Sequence, residues 1–408
     1  MKPKTDLLFL SYLEGIPNQN SGGPNHVIYD YLKYESSSFL KKDFLSYGSF
    51  IENLTISKAA FEKEHLIGIK KITNGLFYKS SIFKKIVTND FYQPIHFKKR
   101  NLYFNKHIDT KEYMIIHSHD SISNSFTTSQ GLAKKIMTVH NYCPYSIDFT
   151  QNIQNDFIRT NLFRSIRNQE LLAMKLSDVI TFPSRAVKEF FENEMIIDSE
   201  KDVRIIYNGI DIEWIQKVSN DKSISDFTKR KFEHDLIILS VASHERNKRL
   251  DIALSVVKEL VHKYKREVLF INVGRGSETS KLIALTKKYQ IEKNVVFIEI
   301  LKHEEIIWLM KNCDYFLHTS EKVVFDLVIL EAMASGLCVI AADEGGNREI
   351  IKHNQNGVLV SLNEVETYAK HFIEVNPKLM SANALSTVKN YTNQVTAQQY
   401  HKIYRDLL

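Results

Sequence analysis

Residues 314–341 read DYFLHTSEKVVFDLVILEAMASGLCVIA. A short β-type run, Tyr315 to His318, breaks at a polar loop, and a second run begins at Cys338 and ends at Ala341. Between them Val328 to Ser335 has the length and residue types of a helix, closed by Gly336. Strands apolar on both faces and joined through a helix are parallel strands of a sheet covered on both sides.

The same alternation extends outward. Upstream lie strand Leu236 to Val241, a helix from about Leu250 to Tyr264, strand Val268 to Val273, a helix around Leu282 to Tyr289, strand Val295 to Ile298 and helix Glu304 to Lys311. Strand Val358 to Val360 follows downstream. The first half repeats the theme with runs at Leu7 to Leu10, Met114 to His117, Ile136 to Val139, Val179 to Phe182 and Val203 to Tyr207. The expectation is therefore an α/β chain of two Rossmann-like doubly wound domains facing across a cleft. The polar stretch at 196–202 puts the boundary between a domain at 1–198 and one at 199–392. A last helix, within 393–408, is expected to cross back to the first domain.

Composition sets bounds on function. The chain has 408 residues, 43% hydrophobic and 25% charged, which suits two or three globular domains. No apolar run approaches the roughly 20 residues that span a bilayer, and the LLFL run near the N-terminus is too short for a signal peptide. Cys143, Cys313 and Cys338 are far apart and odd in number, which suits a reducing cytoplasm. Net charge is +6, unevenly placed: Lys58 to Lys106 holds eleven Lys/Arg against three acids, interleaved with aromatics. That stretch has three readings: peripheral contact with an anionic membrane, at the inner face of a bacterial one, contact with a polyanionic acceptor, or a solvated basic face over a core.

Candidate chemistry gathers where strands end. Gly22 and Gly23, after the first strand, and Gly345 and Gly346 offer backbone amides near a helix start, where phosphate is favoured. His117-Ser118-His119-Asp120 closes one strand and His140 follows the next; metal ligation and structural hydrogen bonding are both open to them. Arg246, Lys248 and Arg249 follow Val241 and suit a diphosphate, although by themselves they read more simply as a solvated loop. Gly274-Arg275-Gly276 is weak by itself, since a lone Gly-x-Gly is more often a turn. Glu331 sits early in an apolar helix. It reads either as an acceptor for two ribose hydroxyls or as an exposed helix acid.

These segments, in this order, resemble family 4 of the retaining glycosyltransferases. The likeness is strongest from Val203 to Val360, through Tyr207-Asn208-Gly209-Ile210-Asp211, Lys248, Glu331 to Gly336 and Gly345-Gly346. It implies a GT-B fold, a nucleotide diphosphate sugar as donor, no cofactor and no metal. It makes Glu331 the ribose ligand, Lys248 the diphosphate ligand and His119 part of the sugar pocket. Gly22, Gly23, Asn208, Arg246, Arg249, Gly274, Ser320, Phe325, Asp326, Gly345 and Gly346 complete the implied donor site. Two positions depart from the pattern. Val323 stands where the family usually has a glutamate, eight residues before Glu331, and Ala242 or Ser243 where it often has an arginine.

The resemblance favours a transferase acting, with a uridine diphosphate sugar most commonly, on a cell-surface glycan, lipid-linked or protein acceptor. Val323 keeps open a degenerate homologue that serves as a partner subunit. A Rossmann-type nucleotide enzyme such as an epimerase is a third reading, which the lack of Gly-x-Gly-x-x-Gly after Leu10 argues against. Nucleic-acid binding is disfavoured by the lack of any reader motif.

Overall fold

The computed structural model describes residues 4–14, 27–28, 42–47, 49–51, 92–108, 112–195, 197–198, 200–219 and 234–408. Gly22, Gly23 and residues 58–91 of the basic stretch lie outside these. The chain forms two compact units, one of residues 1–206 with 397–408 and one of residues 207–396.

In the second unit six strands, β8 (Leu236–Val241), β9 (Val268–Val273), β10 (Val295–Ile298), β11 (Tyr315–His318), β12 (Cys338–Ala342) and β13 (Val358–Val360), form one parallel sheet. Their order is β10-β9-β8-β11-β12-β13. The chain first winds outward from β8, then returns to place β11 on its other side. β8 and β11 therefore lie side by side at a switch point, where open α/β sheets take their ligands.

Both faces are covered, and the strands show it residue by residue. Ile237, Leu239, Ile271, Phe316 and Val339 face one core, while Leu236, Ile238, Phe270, Leu317 and Ile340 face the other. Side chains alternate along a strand, so a strand buried on both sides is apolar along nearly its whole length, and the exceptions, Ser240, Asn272 and His318, come at or near the strand ends.

The first unit is built alike. Its strands are β1 (Lys4–Glu14), β2 (Lys42–Tyr47), β3 (Ser49–Ile51), β4 (Glu112–Ser118), β5 (Lys134–Thr138), β6 (Val179–Phe182) and β7 (Asp202–Ile205). They lie in the order β3-β2-β1-β4-β5-β6-β7, with only the β2–β3 pair antiparallel. The switch point falls between β1 and β4, so the residues after Ser118 occupy the ligand end of this sheet. The last helix, Asn393–Leu407, brings Tyr400, Ile403 and Tyr404 into the same core as Leu7, Phe9 and Ile115.

Several expected bounds move. The strand expected at Val203 to Tyr207 is Asp202–Ile205, and the helix expected from Leu282 begins at Thr279. The helices Tyr92–Ile108, Asp156–Leu176 and Arg185–Glu194 were not anticipated. No helix among the described residues is long and apolar enough to cross a membrane.

Candidate functional site

In the second unit the β8 and β11 loops meet. Thr319 Oγ1 donates to the Lys248 carbonyl at 3.0 Å, and Glu321 N donates to the Asn247 carbonyl at 2.9 Å. This clamps the Arg246–Lys248 turn against the end of β11. Lys248 then places Nζ 3.5 Å from Asp326 Oδ2, which is also 2.8 Å from His318 Nε2. Ser320 Oγ lies 3.1 Å from the same His318 nitrogen. Burial pushes the Asp326 carboxyl up, but the His318 hydrogen bond and the Lys248 charge together outweigh it and hold the group below the ordinary carboxylate range. Asp326 is therefore an anion at neutral pH. His318 is buried, and its Nδ1 has no hydrogen-bond partner among the described residues.

The three cations expected to act together separate. Lys248 turns to Asp326, Arg249 pairs with Asp251 and Glu321, and Arg246 is exposed. Glu245 reaches instead to the next loop, accepting from Ser277 N at 3.1 Å and Ser277 Oγ at 2.7 Å. Gly274 lies in that loop, packed so closely on Ala242 that a Cβ would fall 2.1 Å from the Ala242 carbonyl oxygen.

The glycine pair after β12 is seated on the segment that departs from the family pattern. A Cβ on Gly345 would lie 2.0 Å from the Val323 carbonyl oxygen, and one on Gly346 would lie 2.2 Å from that of Val324. Gly346 N donates to the Val323 carbonyl at 3.1 Å. Val323 itself is buried, as is Phe325, which stacks on Tyr207 with centroids 5.2 Å apart. Phe325 is thus part of an aromatic cluster with Tyr207 and Tyr391. Asn208 follows in the buried turn after Tyr207.

Glu331 is only 9% exposed, which overturns its reading as an exposed helix acid. It lies in the helix Leu327–Ala334, and its Oε1 is 2.8 Å from His303 Nε2. Trp214 packs against His303 with ring centroids 4.6 Å apart. Sequence reasoning missed His303 and Trp214, because nothing local ties either residue to Glu331.

In the first unit three histidines form a ladder at the β4 and β5 ends. His117 and His119 stack at 4.3 Å, and His119 and His140 at 5.3 Å, with His119 Nδ1 3.0 Å from His140 Nε2. His117 is held at both nitrogens, 2.7 Å from the Tyr404 hydroxyl and 2.8 Å from Thr138 Oγ1. Burial drives His117 down to about 3 and His140 to about 4; His119 is lowered by burial and by both neighbouring rings. All three are neutral at pH 7. Asp120 caps the helix Ser121–Ser125 by accepting from Ser123 N at 2.7 Å. Among the described residues no group of three or more His, Cys, Asp or Glu could hold a metal ion.

Two doubly wound α/β units with polar side chains at their switch points are the GT-B architecture. Residues 76–214 match Glycosyltransferase Family 4, and residues 221–395 match Glycosyl transferases group 1. The chain belongs to this family of glycosyltransferases. It is 27% identical over 244 residues to an uncharacterized glycosyltransferase of Methanocaldococcus jannaschii, a match covering 58% of this chain and 60% of the relative. It is 26% identical over 252 residues to the N-acetyl-alpha-D-glucosaminyl L-malate synthase of Bacillus anthracis, covering 60% and 64% of the two chains. The matches thus span less than two thirds of either relative. The Anabaena protein HepE, crystallised with UDP-glucose, has the same fold: TM-score 0.66, 18% identity, 98% of this chain and 100% of that one.

Proposed function

We propose that the protein is a retaining, metal-independent glycosyltransferase that takes a sugar from a nucleotide diphosphate donor. The observation that carries this reading is the Lys248–Asp326–His318 cluster at the second unit's switch point. It fixes an ammonium at the loop on which the Gly345-Gly346 turn is seated. Charge develops on the diphosphate as the glycosidic bond breaks. A preorganised cation lowers that barrier without needing to reorganise. Glu331, buried and oriented by His303, is the acceptor for the ribose hydroxyls. The neutral ladder of His117, His119 and His140 shapes the sugar pocket of the first unit.

A uridine diphosphate sugar is the favoured donor, in keeping with the UDP-glucose held by the Anabaena neighbour. The acceptor is a cell-surface glycan, a lipid-linked sugar or a protein, met at the cytoplasmic face of a bacterial membrane. The test is nucleotide diphosphate release from a panel of uridine and guanosine diphosphate sugars, with lipid-linked and free glycan acceptors present. Release with one donor supports the proposal.

A second reading rests on Val323, a buried aliphatic residue where the family usually has a carboxylate. It makes the chain a non-catalytic partner subunit. Absence of both nucleotide release and calorimetric binding of any donor would establish that reading instead.

A further inference from the structure

The helix Tyr92–Ile108 carries four Lys/Arg and no acid in seventeen residues. Its inner side, through Phe97, Phe104 and Ile108, is buried in the core with Leu8, Leu10, Leu45 and Ile116. Phe104 stacks on Phe126 with centroids 5.7 Å apart. The helix is thereby fixed to its unit, and its outer side is equally definite. At 100° per residue Ile95, Leu102 and Lys106 lie within about 20° of one line, with Lys99 and Lys98 flanking it. Ile95 is 53% exposed and Leu102 is 62% exposed, while Lys98, Lys99 and Lys106 are all exposed.

An outer face serving only solubility would place polar residues at its centre. This one places two large aliphatic side chains there, one helical repeat of seven residues apart, with ammonium groups at their margins. Lysine stems can lie along apolar surface while their heads reach outward to phosphate. That combination matches a bilayer surface bearing anionic headgroups, where shallow apolar insertion and attraction to lipid charge add together.

We propose that this face, Ile95, Lys98, Lys99, Leu102 and Lys106, docks the protein on anionic lipid membranes. The proposal goes beyond the donor chemistry and stands independently of it. The charge on each lysine contributes through a surface potential that decays within a Debye length, so binding weakens with salt. The aliphatic contribution does not.

The experiment is flotation of the full chain with vesicles of phosphatidylcholine and phosphatidylglycerol, against vesicles of phosphatidylcholine alone. The wild type is expected to float with the mixed vesicles only. Replacing Lys98, Lys99 and Lys106 together by Gln should lower the partition on the order of a hundredfold. Ile95→Ser with Leu102→Ser should leave a weaker binding that salt abolishes. Thermal melts and nucleotide binding of each variant, unchanged from wild type, show that the fold and the donor site are intact. Flotation and nucleotide release are separate readouts, so either proposal can fail alone. A wild type that stays unbound to mixed vesicles, or a triple lysine variant that floats like wild type, overturns the docking face. Binding to double-stranded RNA without binding to vesicles would also overturn it, in favour of a nucleic acid.

Discussion

Tyr404, on the last helix of the chain, places its hydroxyl 2.7 Å from Nδ1 of His117 at the end of β4. The two residues are 287 positions apart, yet the hydroxyl fixes the ring that stacks under His119. Thr138 holds the other nitrogen of His117 and lies 3.0 Å from the Tyr400 hydroxyl, so two tyrosines of one helix support the ladder from below.

Tyr404→Phe keeps the ring packing and removes the hydroxyl. It should cost about 1–3 kcal/mol of stability, because a buried imidazole nitrogen loses its partner. It should also lower kcat more than it changes donor KM, since the proposed function puts the ladder in the sugar pocket and not at the nucleotide. Urea denaturation and steady-state kinetics on the same variant check the two effects.

The ladder sets a pH dependence. His117 and His140 are lowered in the folded state from the ordinary 6.5 to about 3 and about 4, so between these values the unfolded chain binds protons that the native chain refuses. Stability must then fall as pH drops below 6.5, by up to about 1.4 kcal/mol per unit for each histidine. Above pH 7 this contribution is complete and flat. Urea midpoints at descending pH should show the fall, and His140→Gln should make it shallower by roughly one proton.

Gly345 and Gly346 separate two kinds of strain. Gly346 has an ordinary φ of −65°, but its Cβ would meet the Val324 carbonyl, so Gly346→Ala should cost about 1–3 kcal/mol through overpacking alone. Gly345 has φ +45° as well as a clash with Val323, so Gly345→Ala should cost about 1–2 kcal/mol more. Thermal melts of the two variants side by side test the order.

Asp326 tempers the cation it positions. Its carboxylate lies 3.5 Å from Lys248 Nζ and would oppose the diphosphate proposed to bind at the same ammonium. Asp326→Asn should tighten binding of uridine diphosphate several-fold. Lys248→Ala should weaken it about ten- to a hundredfold, the scale of a lost charged hydrogen bond. Calorimetric titration distinguishes the opposite signs.

The parts of the fold legible in the sequence are those governed by burial on two sides. Leu236 to Val241 and Val268 to Val273 were read to the residue, because every position but Ser240 and Asn272 faces one core or the other. β2 escaped notice because the buried Asp43 interrupts its apolar run, and a short strand with a polar interior residue has no clear period. The long helix Asp156–Leu176 was hidden by its polar composition and by exposed apolar residues such as Phe157, which blur the helical stripe. Within the candidate site, Lys248 and Asp326 were legible as residue types after neighbouring strands. Their pairing follows from β8 and β11 lying side by side. The His303–Glu331 contact was not legible, because it joins two helices across 28 positions with no local pattern.

The central claim is that a nucleotide diphosphate sugar is held by Glu331 and Lys248. The most direct test is nucleotide diphosphate release by the wild type beside Glu331→Ala, with a uridine diphosphate sugar. Release by the wild type and its near-complete loss in the variant are expected, with the fold intact by circular dichroism. Undiminished release by Glu331→Ala would contradict it.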